Sequence, residues 1–215
     1  MDDIAKRIEE TGIVPVIKLN CPARDAGPLS DALTAGGVPA AEVTFRAAGA
    51  AEAIRIMRDK HPEMLVGAGT VLNEDQAYDA VRAGAMFIVT PGLDQELVRC
   101  CKKLNVPVFP GCSSPTDYHA AYRLGLDVIK FFPAEQSGGL EKIKALSAPF
   151  PMFRVMPTGG ISLRNLKEYI SCPVILACGG SYMVRPELID NGNWEEIEEL
   201  CRESVRIVKE ARRNG

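Results

Sequence analysis

Short apolar runs punctuate the chain at 13–19, 41–45, 64–69, 86–90, 106–110, 127–132, 153–157 and 173–178. Each is nearly continuous in apolar character, as are the strands of a parallel sheet covered on both faces. The stretches between them, 28–35, 48–60, 74–83, 94–104, 115–124, 140–146, 163–170 and 194–213, carry helical spacing. Successive runs start roughly 20 to 28 residues apart, the length that a strand, a loop and about three helical turns require. Gly36-Gly37, Gly84 and Gly125 stand where helices would close ahead of the next strand, the usual place for a glycine C-cap. Eight alternating strand–helix units predict an α/β fold, a (β/α)8 or TIM barrel. A doubly wound open sheet is the alternative, but it usually has five or six strands. The opening segment MDDIAKRIEE alternates charge with Ile4 and Ile8 and predicts an extra amphipathic helix ahead of the barrel. No Pro/Ser-rich linker, charge block or low-complexity segment divides residues 1–215, which read as one domain.

Composition narrows the chemistry. The 215 residues include 25 basic and 28 acidic side chains, so no electrostatic footprint for a nucleic-acid backbone is expected. A chain of this length buries roughly 70% of its unfolded surface, so the core needs no disulfide or metal support. Seven cysteines without a C-x-x-C pattern fit free thiols in a reducing cytoplasm. The acidic start of the chain is unlike a signal peptide, and no apolar run reaches the ~18 residues a membrane span requires. With only two histidines, His61 and His119, triads and histidine-rich metal cages lose support, leaving Lys, Glu, Asp and backbone groups for any catalysis.

In such a barrel, active sites form where the strands end in their C-terminal direction. On the second strand, period-two alternation puts Glu42, Thr44 and Arg46 on the face opposite Val43 and Phe45, so the polar set points into the barrel. A structural Glu42–Arg46 ion pair or a catalytic carboxylate would each account for it, since buried charges are tolerated only when paired. Lys130 interrupts the apolar sixth strand. Burial favours the free amine over the ammonium, and a free amine is the nucleophile of Schiff-base chemistry; an amine paired with a barrel carboxylate is the structural alternative. Lys18, nearer a loop, ranks second.

The seventh and eighth strands each end in a glycine pair, Gly159-Gly160 and Gly179-Gly180, the latter followed by Ser181. Glycines allow close approach of backbone N–H groups to an anion, and barrels often build phosphate sites after these two strands. Gly67-Ala68-Gly69-Thr70 lacks the third glycine of a dinucleotide fingerprint, and no G-x-x-x-x-G-K-[ST] is present. Cys112 has no motif-supported base; His61 and His119 read as surface or packing residues. Trp194 is expected to pack the last helix, with Glu195–Glu199 as its solvated first turns.

Read together and in order, VPVI, EVTFR, VGAGTV, TPGL, PGCSS, IKFFPAE, PTGGIS and CGGSYMV resemble the 2-keto-3-deoxy-6-phosphogluconate (KDPG) and 4-hydroxy-2-oxoglutarate aldolase family of class I aldolases. The likeness runs through nearly the whole chain, and KFFPAE with PTGGI is its most specific part. It implies a cytoplasmic, homotrimeric enzyme of the Entner–Doudoroff pathway that releases pyruvate and glyceraldehyde 3-phosphate from the phosphorylated keto acid without metal or cofactor. The alternatives are a member specialised for 4-hydroxy-2-oxoglutarate or for 2-keto-3-deoxy-6-phosphogalactonate, and a sugar-phosphate isomerase or epimerase barrel with no covalent intermediate. Lys130 would be the Schiff-base lysine and Glu42 the general acid/base. Arg46 and Thr70 would hold the pyruvyl carboxylate, with Pro91 and Phe132 lining that pocket and Thr158 beside the sugar-acid chain. Gly159, Gly160, Gly180 and Ser181 would bind phosphate. Two departures, Ala47-Ala48 after Arg46 and Cys112 in place of an aliphatic residue, bear on substrate preference.

Overall fold

A computed structural model describes residues 3–213; Met1 and Asp2, expected to open the first helix, and the last two residues lie outside it. The strands are β1 (Ile13–Ile17), β2 (Ala40–Thr44), β3 (Leu65–Gly69), β4 (Ile88–Val89), β5 (Val108–Phe109), β6 (Val128–Phe131), β7 (Arg154–Pro157) and β8 (Cys178–Gly180). The helices are α1 (Asp3–Thr11), α2 (Pro22–Ala35), α3 (Ala50–Lys60), α4 (Glu74–Arg82), α5 (Gln95–Lys103), α6 (Pro115–Arg123), α7 (Gly139–Ser147), α8 (Leu166–Ile170), α9 (Pro186–Asp190) and α10 (Trp194–Arg213). Six strands form a parallel ladder in the order β5-β4-β3-β2-β1-β8, and β6 pairs with β7. Single parallel bridges, Gly111 to Lys130 on one side and Val155 to Ile175 and Thr158 to Gly179 on the other, join the two sheets into a closed cylinder. This is the expected eight-stranded barrel. Among the described residues no helix is long and apolar enough to cross a membrane.

Alternation along each strand sorts side chains into two compartments. Ile17, Val43, Ala68, Ile88, Ile129 and Val155 face outward and pack with the helices in one large core. Val14, Ala40, Leu65, Phe87, Val89, Phe109, Val128 and Met156 face inward and fill the lower barrel, together with Ala5 and Ile8 of α1. The extra N-terminal helix thus plugs the end of the barrel from which the strands start. Glu9 accepts from Arg154 Nη2 at 2.6 Å, and Arg7 donates to the carbonyl of Glu63 at 2.7 Å, tying the plug to the wall. Phe87 and Phe109 stack at the centre of this layer with ring centroids 5.8 Å apart.

Four elements differ from the sequence reading: α9 (Pro186–Asp190) has no counterpart in it, α8 starts at Leu166 and not at 163, and α2 and β8 are displaced. Helix α2 starts at Pro22, not Pro28: Pro22 takes the first-turn position that suits proline. Pro28 is carried inside the helix because Ala26, Leu29 and Leu33 bury fully around it. Strand β8 begins at Cys178, where the apolar run 173–178 ends, because its register against β1 pairs Ile13 with Cys178, Val14 with Gly179 and Pro15 with Gly180. Ile175, Leu176 and Ala177 are apolar because they are buried, and Gly179-Gly180 lies within the strand instead of after it. The glycine helix ends behave as expected, with left-handed backbone at Gly37 (φ 78°), Gly84 (φ 94°) and Gly125 (φ 63°).

Truncating the plug tests this division. Ile8→Ala is expected to destabilise the barrel by about 2–5 kcal/mol in urea titrations, while activity per folded molecule stays unchanged because the site lies at the opposite end.

Candidate active site

The same alternation that fills the lower barrel with apolar side chains continues upward into a different layer. Inward positions near the strand ends are Val16 on β1, Glu42 on β2, Gly69 on β3, Lys130 on β6 and Thr158 just beyond β7. Above them opens a cavity of about 260 Å³ lined by Val16, Glu42, Arg46, Thr70, Pro91, Lys130, Phe132, Thr158, Gly159, Gly160, Ile161, Gly179, Gly180 and Ser181. Every site residue that the family resemblance implied lines this one cavity.

Lys130 and Glu42 form its floor. Lys130 Nζ donates to Glu42 Oε1 at 3.2 Å, and both side chains are buried. Glu42 therefore pairs across the barrel and not with Arg46, the partner that strand spacing suggested. Arg46 turns toward the cavity rim, where its Nε donates to Thr44 Oγ1 at 3.3 Å; Thr44 in turn donates to the carbonyl of Ile17 at 2.8 Å. The ring of Phe132, with its centroid 5.3 Å from Nζ, walls the amine on one side. Glu42 Oε2 and Thr158 Oγ1 are buried without a hydrogen-bond partner among the described residues, a costly state in a protein interior unless a bound molecule completes it.

Glycines on β3 make the floor possible. Inward-facing Gly67 and Gly69 leave two hollows, one above the other. A Cβ at Gly67 would come within 2.3 Å of the Phe87 ring, and one at Gly69 within 2.3 Å of Glu42 Oε1. The GAGT segment is thus a close-packing device, a role its failure as a nucleotide motif left open. Thr70, the next residue, holds φ at 53°, a left-handed conformation that is strained for a β-branched side chain.

The loop after β7 is built from backbone. Gly159 and Gly160 have φ values of 103° and 81°. The carbonyl of Thr158 accepts from Ala134 N at 2.8 Å, that of Gly159 from Glu135 N at 3.1 Å, and that of Gly160 from Asn165 Nδ2 at 3.1 Å. With all three carbonyls held by protein donors, the N–H groups of Gly160 and Ile161 make no hydrogen bond within the described residues, while the Thr158–Gly179 bridge turns the Gly159 N–H toward the carbonyl of Gly179. Consecutive free N–H groups on a glycine turn form an anion-binding concavity.

Several residues fall outside the cavity. Lys18 is exposed and does not line it. Cys112 is buried against Asp117, and desolvation pushes its thiol well above the ordinary range, which disfavours a thiolate nucleophile. His61 pairs with Asp31 at 2.8 Å at the end of α3, and His119 is exposed on α6. Trp194 is half-buried at the head of α10. Val16, Ile161 and Gly179 are cavity residues that sequence reasoning passed over. Period two from Val14 would have found Val16, and the second glycine pair already contained Gly179. Nothing in local pattern marked Thr70 or Pro91, which the family resemblance alone supplied.

Fold and cavity together define a (β/α)8-barrel protein with a buried lysine–carboxylate pair and a glycine loop carrying unpartnered N–H groups at its C-terminal mouth. The chain belongs to the KDPG and KHG aldolase family, whose model matches residues 4–200. It is 46% identical to a 2-dehydro-3-deoxy-phosphogluconate aldolase of Haemophilus influenzae over 96% of this chain and 97% of the relative. It is 43% identical to the enzyme of that name from Treponema pallidum, over 97% and 99%. Among solved structures, a KDPG aldolase of Legionella pneumophila holding pyruvate as a covalent carbinolamine intermediate superposes with a TM-score of 0.88 at 38% identity, covering 92% of this chain and 96% of that one.

Thr70→Gly relieves the left-handed strain and removes the side chain. Thermal unfolding is expected to show stability unchanged or raised by roughly 1 kcal/mol, while KM for the substrate rises through loss of the hydroxyl at the cavity wall.

Proposed function

We propose that this protein is a class I aldolase that cleaves 2-keto-3-deoxy-6-phosphogluconate to pyruvate and glyceraldehyde 3-phosphate. The observation that carries the reading is the Lys130–Glu42 contact of 3.2 Å, buried at the mouth of the barrel with Glu42 Oε2 unpartnered beside it. Relatives that share 43–46% of the sequence over nearly its full length bear the name of this activity.

In this mechanism Lys130, as the free amine, adds to the C2 ketone to form a carbinolamine. Glu42 supplies the proton with which water departs, leaving a protonated imine. Its carboxylate then takes the proton of the C4 hydroxyl as the C3–C4 bond breaks. The bonding pair flows through C3 into the imine nitrogen, giving an enamine, and the aldehyde leaves. Glu42 returns its proton to C3, and water hydrolyses the imine to release pyruvate and the free amine. Arg46 holds the carboxylate of the keto acid by charge-assisted hydrogen bonds, with Thr70 as a second donor, which fixes the ketone beside Nζ. Pro91 and Phe132 shape the apolar side of the pyruvyl pocket. Thr158 Oγ1 faces the hydroxyl-bearing chain, and the N–H groups around Gly159 and Gly160 receive the phosphate, with Gly180 and Ser181 opposite. A homotrimeric assembly and a cytoplasmic location belong to the same reading and rest on the family likeness.

Borohydride added with pyruvate is expected to leave a covalent adduct on Lys130, read by peptide mass spectrometry; absence of the adduct, or its appearance on Lys18, would overturn the assignment. Lys130→Ala is expected to abolish turnover with the fold intact. Glu42→Gln is expected to lower kcat by about 10²–10⁴ while some imine still forms, and unfolding of both variants would instead mark the pair as structural.

A further inference from the structure

Three of the strand–helix loops on this face, those before α4, α5 and α6, end in helices capped by their own side chains. Asn73 accepts from Gln76 N at the head of α4, Asp94 accepts from two N–H groups of α5, and Ser114 forms a reciprocal capping box with Asp117 on α6. Asn165, the cap residue of α8, makes no such bond to its helix. Its side chain turns back into the preceding loop, where Oδ1 accepts from Ser162 N at 2.8 Å and Nδ2 donates to the carbonyl of Gly160 at 3.1 Å. The two partners fix the orientation of the amide, because a backbone N–H requires the oxygen and a carbonyl requires the nitrogen.

We infer that Asn165 is a positioning residue for the phosphate end of the substrate, holding the Gly160 carbonyl away from the cavity so that the N–H groups of Gly160 and Ile161 meet the anion. The peptide between Gly160 and Ile161 is free to rotate in a way other peptides are not, since Gly160 has no side chain to resist it. Rotation would bring a carbonyl oxygen, with its partial negative charge, to the place of an N–H. The carbonyls of Thr158 and Gly159 are held by main-chain donors of Ala134 and Glu135. That of Gly160 depends on a side chain, and so is the one carbonyl of the three that a substitution can release. The role rests on the phosphate reading of this loop. It predicts that Asn165 affects phosphorylated substrates selectively, because the pyruvyl pocket around Lys130, Glu42 and Arg46 is built from other strands.

The test compares wild type, Asn165→Ala and Asn165→Asp on 2-keto-3-deoxy-6-phosphogluconate and on unphosphorylated 4-hydroxy-2-oxoglutarate, with inorganic phosphate as a competing probe. For Asn165→Ala, KM for the phosphorylated substrate and the inhibition constant of phosphate are expected to rise about tenfold together, with kcat within twofold. The kcat/KM for the unphosphorylated acid should stay within twofold. Asn165→Asp keeps the acceptor for Ser162 N but loses the donor to Gly160 and adds a negative charge, so its KM is expected to rise further; as the isosteric variant it gives the reading if the alanine variant does not fold. Equal losses on both substrates, or a fall in kcat with melting temperature, would overturn the inference in favour of a structural role. A wild type that prefers phosphorylated substrate and a variant that keeps this preference would overturn the role of Asn165 alone. A wild type neither inhibited by phosphate nor selective for the phosphorylated acid would remove the phosphate site itself.

Discussion

An amine and a carboxylate 88 positions apart in the chain share one hydrogen bond inside a closed barrel, and most of the upper barrel follows from that contact. Removing either partner from a buried pair typically costs about 3–5 kcal/mol because the other is left uncompensated. The pair also demands space. Glu42 takes the hollow above Gly69, and the smallest side chain there would strike its carboxylate. Pairing across the barrel leaves Arg46 free to point at the rim, and it leaves one oxygen of Glu42 buried without a partner among the described residues. A Glu42–Arg46 pair on one strand would have satisfied the same charges and closed the site.

The barrel can carry this polar layer because the layer beneath is wholly apolar. Phe87, Phe109 and the residues around them seal the interior, and Ala5 and Ile8 of α1 close the end from which the strands start. Water is thereby excluded from below, and the lysine and glutamate exchange with solvent only through the mouth. In a chain of 215 residues, short for this architecture, the mouth has little loop to spare. Side chains on strand ends therefore supply its floor, and backbone supplies the glycine loop after β7.

The backbone contribution has a physical economy of its own. Left-handed glycines leave the successive N–H groups of Gly160 and Ile161 without a protein partner, and no cationic side chain is needed to make that surface electropositive. On the proposed function, such a surface meets the phosphate only while its carbonyls are turned aside. The main chain after β6, the strand of Lys130, fixes two of these carbonyls and Asn165 fixes the third, so the loop and the lysine strand share a common frame.

Periodicity by itself located seven of the eight strands, the helices that follow them apart from α9, the plug helix and the inward face that carries Glu42 and Lys130, because a two-residue or 3.6-residue repeat is a local property of the chain. The glycine pairs were equally legible as places of close backbone approach. Partnership was not. Which base Lys130 meets, which way Arg46 turns and where β8 takes up its register depend on which strands become neighbours when the cylinder closes. Pro91 and the strained Thr70 are cavity residues for the same reason. Their chemistry is unremarkable in sequence, and only the convergence of eight strand ends on one small volume brings them to it.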